Sequence, residues 1–410
     1  MRERVAVIGL GYVGLPLALR VAEVGFPVVG IDVDENRVSL LRKGKSFTPD
    51  IPDYRVKEAG TMATEFVSSF DLVSQCDVIL ICVPTPLDQD ENAPDLSLLR
   101  DALAEIAPRL AHGALVVLES TVAPGTTEGL VLSAFVNEGL RLDTDFFLGF
   151  SPERINPGSD SSAMKSVPKL VSGCSRDSLD KINAFYESFT ETVVAVKGTA
   201  EAEFAKLLEN SYRLVNVSLV NELAFAAAKM GVDFGEVVRA ASTKPYGFQA
   251  FHPGPGAGGH CIPVDPVYLL DKIRNDTGAI TPVLSSAVIA NKQVPSRFVD
   301  EVVAPGRNLS DMDVLVCGLG YKRGVKDVRH SPASQVIRDL AARGARVSVY
   351  DEYIDSIEID SAVFESIDLQ FSSNRFETAV LLHPFPEGRI ANIRRVSDEL
   401  VSAVGSFGVV

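Results

Sequence analysis

The chain has 410 residues, 46% of them hydrophobic, and a formal net charge of −15 at pH 7. At roughly 100–200 residues per domain this length predicts two or three domains, and the dispersed negative charge disfavours nucleic acid and anionic membranes as partners. There is no signal-peptide pattern and no run of eighteen apolar residues, and the five cysteines are widely spaced. We therefore expect a soluble protein of a reducing cytoplasm.

Short β-branched segments alternate with helical patterns through the first third of the chain. The segments that read as strands are RVAVIG, PVVGID, VILICVP, ALVVLEST and FFLGFSP. Apolar strands that alternate with helices are typical of a parallel sheet covered by helices on both faces. The sequence therefore predicts an α/β, doubly wound domain at the N-terminus.

A glycine turn follows the first of these strands. Gly9, Gly11 and Gly14 form the pattern G-x-G-x-x-G, which lets backbone N–H groups approach a pyrophosphate at the start of the next helix. Asp32 ends the second strand, where it would bind a ribose 2′-hydroxyl and repel a 2′-phosphate. The pattern favours NAD over NADP, although Arg37 would lie near the same ribose. A turn that serves packing alone is the alternative.

One long helix is predicted over residues 199–231, with Gly231 suited to its C-terminal cap. Lys206, Asn210 and Arg213 fall within about 60° of one another on this helix. Apolar neighbours should leave this face little surface for solvent, so a lysine and an amide one turn apart would hold an oxyanion or a carbonyl. A solvated polar face is the alternative. Helical segments continue to about residue 300.

The segment PGPGAGGHCIPVDP at residues 253–266 cannot form regular helix or strand and must be a loop. Cys261 lies in it beside His260, outside the apolar runs where structural cysteines occur, and Asp265 follows. An exposed cysteine in a polar loop is a candidate nucleophile. A metal site competes with this reading, but no second Cys/His pair at zinc spacing is present, so we predict no metal.

The first glycine turn has an echo near the C-terminus. GLGYVG at residues 9–14 recurs as GLGYKR at residues 318–323, again after a β-branched strand. The repeat predicts two Rossmann-like, doubly wound domains joined by a central α-helical one. Lys322 and Arg323 replace the end of the fingerprint and would suit a different anionic ligand, or would be surface cations.

These segments together resemble the UDP-glucose/GDP-mannose dehydrogenase family of nucleotide-sugar 6-dehydrogenases over nearly the whole chain. The motifs that carry the resemblance are GLGYVGLPLA, VPTPL, ESTVAPGTTE, GFSPERINPG, EFAKLLENSYRLVN, PGPGAGGHCIPVDP and GLGYKRGVKDVRHSP. The resemblance implies an NAD-binding Rossmann domain over residues 1–198, a central helical dimerisation and catalytic domain over residues 199–300, and a UDP-binding domain over residues 301–410. It also implies a homodimer.

The implied reaction is the four-electron oxidation of the C6 hydroxyl of a UDP-sugar to a carboxylate, with two NAD. Cys261 would add to the C6 aldehyde, and the thiohemiacetal would become a thioester that water cleaves. Lys206 and Asn210 would stabilise the alkoxide and the oxyanion. Asp265 and Thr121 would position a water, and Glu153 would act on the hydrolytic water or the adduct. The resemblance leaves the formal general base open.

The resemblance also implies binding residues. Those for the cofactor are Gly9, Gly11, Tyr12, Val13, Gly14, Asp32, Arg37, Thr85, Thr121 and Arg329. Those for the substrate are Glu153, Arg154, Lys206, Asn210, Arg213, Phe251, Gly254, Gly256, Gly258, Tyr321 and Lys322.

The form of the cysteine loop is similar to that of bacterial members that act on UDP-N-acetylhexosamines such as UDP-GlcNAc or UDP-ManNAc. His260 and Pro263 stand where some UDP-glucose enzymes have serine and a different loop, and UDP-glucose is the alternative sugar. Two other functions compete. A β-hydroxyacid dehydrogenase would transfer one hydride and would not need Cys261. A non-catalytic NAD-binding sensor would leave Cys261, Lys206 and Glu153 without a task.

Overall fold

The computed structural model describes residues 2–48, 51–88, 93–154, 166–303, 306–370, 374–405 and 407–409. The chain forms two compact units. The first contains Met1–Glu209 and Val267–Gly278, and the second contains Asn210–Pro266 and Ala279–Val410.

An eight-stranded sheet forms the centre of the first unit, in the order β3-β2-β1-β4-β5-β6-β7-β8. Its strands are β1 (Val5–Ile8), β2 (Val28–Ile31), β3 (Thr64–Val67), β4 (Val78–Ile81), β5 (Ala114–Leu118), β6 (Phe146–Phe150), β7 (Lys169–Gly173) and β8 (Val193–Ala195). All neighbours are parallel except β6 and β7. The five predicted strands are confirmed, whereas β3, β7 and β8 were not predicted.

Helices cover both faces of this sheet, as predicted. They are α1 (Gly14–Glu23), α2 (Glu35–Arg42), α3 (Asp53–Thr61), α4 (Ser97–Ile106), α5 (Leu132–Asn137) and α6 (Arg176–Glu187). Strands β1, β2, β4 and β5 are buried along their whole length, and their alternate side chains enter two separate apolar clusters. Because both faces are covered, these strands read as continuous apolar runs in the sequence.

The helical segments of the central region are α7 (Thr199–Lys229), α8 (Phe234–Ala241), α9 (Asp265–Thr277) and α10 (Pro282–Phe298). The long helix α7 ends two residues before Gly231, whose φ of +70° is the left-handed conformation that favours glycine after a helix. Residues 242–264, between α8 and α9, contain neither helix nor strand. The predicted loop around Cys261 is therefore confirmed.

A second sheet, of five strands in the order β10-β9-β13-β14-β15, lies in the second unit. Its strands are β9 (Asp313–Cys317), β10 (Arg346–Tyr350), β13 (Phe376–Leu381), β14 (Ser397–Ser402) and β15 (Gly408–Val409), and β11 (Ser356–Ile359) pairs with β12 (Ala362–Glu365) in a separate hairpin. The helices α11 (Pro332–Ala342) and α12 (Glu387–Val396) accompany it.

The two sheets repeat the same turn, as the sequence echo predicted. Gly9 and Gly318 follow β1 and β9 with φ of +87° and +98°. The next residue in each case donates its N–H to an aspartate that follows the neighbouring strand: Leu10 to Asp32 at 2.8 Å and Leu319 to Asp351 at 2.7 Å. The chain therefore contains two Rossmann-like folds with matching first turns.

None of the helices within the described residues has the length and apolar character needed to cross a membrane.

Candidate active site

The first glycine turn combines two crowded positions with one open position. A Cβ on Gly14 would lie 1.8 Å from the Gly9 carbonyl oxygen, and one on Gly9 would lie 2.9 Å from the carbonyl oxygen of Cys82. At Gly11, by contrast, no heavy atom of the described residues lies within 4 Å of a Cβ placed there. Glycine is therefore required at two positions for packing, and the third leaves room for a ligand against the start of α1. Tyr12 and Val13 complete the turn.

Asp32 is 6% exposed and lies directly after β2. Its Oδ2 accepts the Leu10 N–H, and its Oδ1 accepts the Asp34 N–H at 2.9 Å. Arg37 lies with Nη1 3.5 Å from Asp32 Oδ2, and its guanidinium stacks over Phe47. The open cradle at Gly11 and the carboxylate at the end of β2 fit the pyrophosphate and ribose of NAD.

Thr85 and Thr121 follow β4 and β5, at the carboxyl edge of the sheet, where ligands bind in folds of this type. The Thr85 hydroxyl donates to the Thr121 carbonyl oxygen at 2.7 Å, and the Tyr268 hydroxyl donates to the Thr85 carbonyl oxygen at 2.7 Å. These bonds hold the two predicted cofactor residues to each other.

Glu153 follows β6 at the same edge and is part of a buried network of charged groups. Lys169 Nζ donates to Glu119 Oε2 at 2.6 Å and to the Pro152 carbonyl oxygen at 3.2 Å, and it lies 3.8 Å from Glu153 Oε2. Tyr186 donates a short hydrogen bond to Glu119. Burial lowers the pKa of Lys169, but the carboxylates of Glu119 and Glu153 outweigh it and raise the pKa above its usual value. The network thus supplies a positive charge behind Glu153.

Arg154 turns away from that network. Its Nη2 donates to Glu209 at 2.6 Å, and its Nη1 donates to the Pro168 carbonyl oxygen at 2.8 Å. The rest of the GFSPERINPG motif, from Ile155 onward, lies outside the described residues.

The predicted polar stripe on α7 is buried at two of its residues and exposed at the third. Lys206 and Asn210 are 9% and 8% exposed, whereas Arg213 is exposed. The expectation that this face has little surface for solvent is therefore confirmed for Lys206 and Asn210 and is wrong for Arg213. Asn210 Nδ2 donates to Asp265 Oδ2 at 2.5 Å, which joins two of the predicted catalytic residues.

Cys261 ends the glycine loop directly before α9. Its carbonyl oxygen accepts the Asp265 N–H at 2.9 Å, so the cysteine lies one turn before the first residue of that helix. The thiol is half-buried, not exposed as expected, since the loop packs against its own unit. Cys82 and Cys317, by contrast, are buried, and burial raises the pKa of both thiols.

The loop packs against the second glycine turn within the second unit. A Cβ on Gly258 would lie 2.5 Å from the His330 carbonyl oxygen, and one on Gly259 would lie 2.8 Å from the ring of Tyr321. Glycine is therefore required here for close packing of two backbones. Of the other predicted substrate residues in this unit, Gly254 donates its N–H to Asn221 at 2.9 Å, and Phe251 packs edge-on against Tyr212.

Two predicted binding residues follow the second turn. Lys322 is half-buried, and Arg329 is exposed with its guanidinium directed at Asp327. Gly256 adopts a φ of +113°, a value that L side chains rarely adopt.

Four charged residues that the sequence analysis did not single out are buried near the predicted ones. They are Glu119, Lys169, Glu203 and Asp327, all at most 9% exposed. The sequence signal that could have found two of them is a lysine and a glutamate at the ends of apolar strands. Charged side chains are rarely buried there unless they are paired, so the two would have been expected to be partners.

Models of the three domains of the UDP-glucose/GDP-mannose dehydrogenase family match this chain in order. The NAD-binding domain matches residues 3–190, the central domain residues 200–293 and the UDP-binding domain residues 315–403.

Named relatives agree with these matches. A UDP-N-acetyl-D-glucosamine 6-dehydrogenase of Pseudomonas aeruginosa is 36% identical over 86% of this chain and 83% of its own length. A solved UDP-D-ManNAc dehydrogenase from Pyrococcus horikoshii superposes with a TM-score of 0.86 at 29% identity, covering 98% of this chain and 95% of the other. A UDP-glucose dehydrogenase from Pyrobaculum islandicum superposes with a TM-score of 0.85 at 26% identity, covering 98% and 94%.

Proposed function

Because the chain belongs to the UDP-glucose/GDP-mannose dehydrogenase family, and is an NAD-binding nucleotide-sugar dehydrogenase, we propose that it oxidises the C6 hydroxyl of a UDP-N-acetylhexosamine to the carboxylate through a covalent adduct on Cys261. The observation that carries the proposal is the half-buried Cys261 at the end of a glycine loop, one turn before Asp265, which Asn210 orients.

Cys261 is proposed to make the second oxidation possible. A free aldehyde is a poor hydride donor, whereas a tetrahedral adduct carries an oxyanion that expels hydride. The Cys261 sulfur therefore adds to the C6 aldehyde, and the thiohemiacetal is oxidised to a thioester. Water then breaks the carbon–sulfur bond, which releases the carboxylate and restores the thiol. NAD, when bound, supplies the acceptor for both oxidations.

In this scheme the buried polar residues of α7 would stabilise the negative charge that develops on oxygen in both oxidation steps. Lys206 would stabilise the alkoxide of the first step and the oxyanion of the second, because a charge in a site shielded from water acts strongly. Asn210 would share that role, and its bond to Asp265 orients both side chains. Asp265 and Thr121 would position a water, and Glu153 would act on the water that cleaves the thioester.

The cofactor residues proposed for NAD are the first glycine turn, Asp32, Arg37, Thr85, Thr121 and Arg329. The proposed substrate residues include Lys322 and Tyr321 beside the cysteine loop. The N-acetylhexosamine preference rests on the names of relatives such as the enzyme of Pseudomonas aeruginosa and on the form of the loop.

The reaction is tested by the yield of NADH per sugar. The purified chain is incubated with limiting UDP-GlcNAc, UDP-ManNAc, UDP-GalNAc, UDP-glucose or GDP-mannose and excess NAD. We expect two NADH per molecule of a UDP-N-acetylhexosamine. One NADH per substrate would contradict the proposed chemistry, and turnover of UDP-glucose alone would contradict the proposed sugar.

The role of Cys261 is tested by Cys261→Ser. A serine hydroxyl is a weaker nucleophile at neutral pH, so the first oxidation should persist while steady-state turnover falls by a factor on the order of 10³ or more. Cys174→Ser is the matched control at another half-buried cysteine and should keep the parent rate. Two NADH per sugar at the parent rate from Cys261→Ser would end the nucleophile hypothesis.

A further inference from the structure

A buried carboxylate lies beside an imidazole at the end of the cysteine loop. His260 immediately precedes the cysteine, and Asp327 approaches from the segment between β9 and α11. Asp327 Oδ2 lies 3.7 Å from His260 Nδ1, and their side chains are 4% and 26% exposed. Asp327, His260 and Cys261 belong to the same compact unit. They form a chain of groups that leads from a buried carboxylate to the proposed nucleophile.

The position of Asp327 is fixed by several hydrogen bonds. Its Oδ1 accepts the Arg329 N–H at 2.9 Å, and its Oδ2 accepts the Arg329 Nη2 at 2.6 Å. The backbone of the same segment holds the cysteine loop, since Gly259 donates its N–H to the Arg329 carbonyl oxygen at 3.1 Å. The segment that carries Asp327 and the loop that carries His260 are therefore joined by a backbone hydrogen bond, which keeps the carboxylate close to the imidazole.

The charged groups around His260 favour its cationic form. Burial lowers the pKa of His260, but hydrogen bonds to Asp327 and Cys261 outweigh it and raise the pKa to about 9. Arg329, with Nη2 3.2 Å from His260 Nδ1, acts against this, and the ring of Tyr321 meets the imidazole edge-on. Asp327 is itself buried, which raises its pKa, but the hydrogen bonds from His260 and Arg329 hold that pKa well below its usual range. A carboxylate therefore faces an imidazolium at neutral pH.

We propose that His260 and Asp327 are positioning residues for Cys261: the Asp327 carboxylate holds His260 as an imidazolium, and the imidazolium holds Cys261 as a thiolate. Because His260 already carries its proton, the proton that leaves the sulfur goes to solvent, and the imidazolium compensates the negative charge that remains on the sulfur. A thiolate is the reactive form of cysteine, and an adjacent cation stabilises it. The inference rests on the proposed function, which requires Cys261 as nucleophile.

The pair is tested by the pH dependence of Cys261 alkylation, which needs neither substrate nor turnover. The full chain is treated with iodoacetamide between about pH 5 and pH 10, and modification is quantified on the peptide that contains Cys261. We expect His260→Gln to raise the midpoint by about one pH unit, which slows alkylation at neutral pH about tenfold. Asp327→Asn should shift the midpoint in the same direction. The buried Cys82 and Cys317 serve as internal references.

His112→Gln is the matched control, because His112 also lies beside a carboxylate, 3.6 Å from Asp145, but is 77% exposed. In this variant the pH midpoint of Cys261 alkylation should equal that of the parent. An unshifted midpoint of Cys261 alkylation in His260→Gln would overturn the proposal, even if turnover fell. If Asp327→Asn does not fold, the His260→Gln variant alone decides between the two outcomes. A shifted midpoint together with full turnover by Cys261→Ser would instead overturn the proposed function and leave the pair intact.

Discussion

At the scale of single residues, Asp32 shows how one side chain combines a structural with a proposed binding role. Its two oxygens accept the N–H groups of Leu10 and Asp34, which fixes the turn after β1 to the end of β2. The same carboxylate is placed where the ribose of a dinucleotide binds in Rossmann folds. An asparagine at this position removes the charge but keeps only one of the two acceptor oxygens, so its effect on cofactor choice is measured together with its Tm.

We expect Asp32→Asn to narrow the preference for NAD over NADP. The amide oxygen can accept only one of the two backbone N–H groups that Asp32 holds, and the Tm of the variant reports the loss of the other. The repulsion of a 2′-phosphate is lost, and so is the charged acceptor for the ribose 2′-hydroxyl, which is worth about 1.5–3 kcal/mol. The ratio of kcat/KM for the two cofactors should fall by roughly 10–100-fold. Glu35→Gln, at an exposed carboxylate on α2, should leave the ratio unchanged. Equal kcat/KM for both cofactors in the parent would contradict the assignment.

At the scale of elements, a buried glutamate pins the long helix to a loop of the first unit. Glu203 on α7 is fully buried and accepts the N–H of Gly125 at 2.5 Å and the N–H and hydroxyl of Thr127 at 2.9 and 2.6 Å. The loop follows Thr121, and the helix carries Lys206 less than one turn beyond Glu203. A single carboxylate thus holds together two segments that carry proposed functional residues.

The charge of Glu203 predicts a pH dependence of stability. Burial raises its pKa from 4.5 to about 7, although the bonds from Thr127 and Gly125 act in the opposite direction. The folded state therefore binds the proton more tightly than the unfolded chain. Its contribution to stability is fully present below about pH 4.5 and is lost as the pH rises through about 7.

Glu203→Gln should remove that dependence. Between about pH 5 and pH 8 the Tm of the parent should fall relative to that of Glu203→Gln by a few degrees, equivalent to about 1–3 kcal/mol. Glu203→Gln also loses one acceptor oxygen, which lowers its Tm equally at every pH and therefore does not affect the pH dependence of the difference in Tm. Glu222→Gln, at an exposed position of the same helix, should follow the parent. Identical pH profiles for the parent and Glu203→Gln would refute the assignment.

At the scale of the whole molecule, α7 exposes an apolar stripe that the described residues of one chain leave uncovered. The exposed fractions are 40% for Phe204, 55% for Leu208, 50% for Tyr212, 52% for Leu219 and 46% for Leu223. At ~100° per residue these five side chains project within about 100° of one another. Contiguous apolar surface of this kind marks an interface, and we propose that a second copy of the chain covers it in a homodimer.

Leu219→Glu should therefore weaken or abolish the dimer, because it places a charge in the apolar interface without a partner. Light scattering at micromolar concentration should give twice the chain mass for the parent and a lower mass for the variant. Val363→Glu, at a residue of β12 that is 63% exposed, should remain dimeric. A monomeric parent would count against the proposal.

Local patterns determined much of this protein. The apolar strands, the two glycine turns, the end of α7 near Gly231 and the loop around Cys261 follow from hydrophobic periodicity and from backbone conformations that only glycine or proline suits. These signals involve residues that are neighbours in the chain. The order of motifs was likewise sufficient to predict the family. The domain boundaries at 198/199 and 300/301 stay predictions.

Other features were decided only by the tertiary structure. Periodicity shows that a position is buried but not which side chain it meets there. Lys169 hydrogen-bonds to Glu119, which is 50 residues away in the sequence, and Glu203 accepts a hydrogen bond from Thr127, which is 76 residues away. The meeting of Asp327 with His260 depends on the close packing of two glycine-containing backbones. Buried charges are stable only with partners, and distant segments supplied those partners when the chain folded.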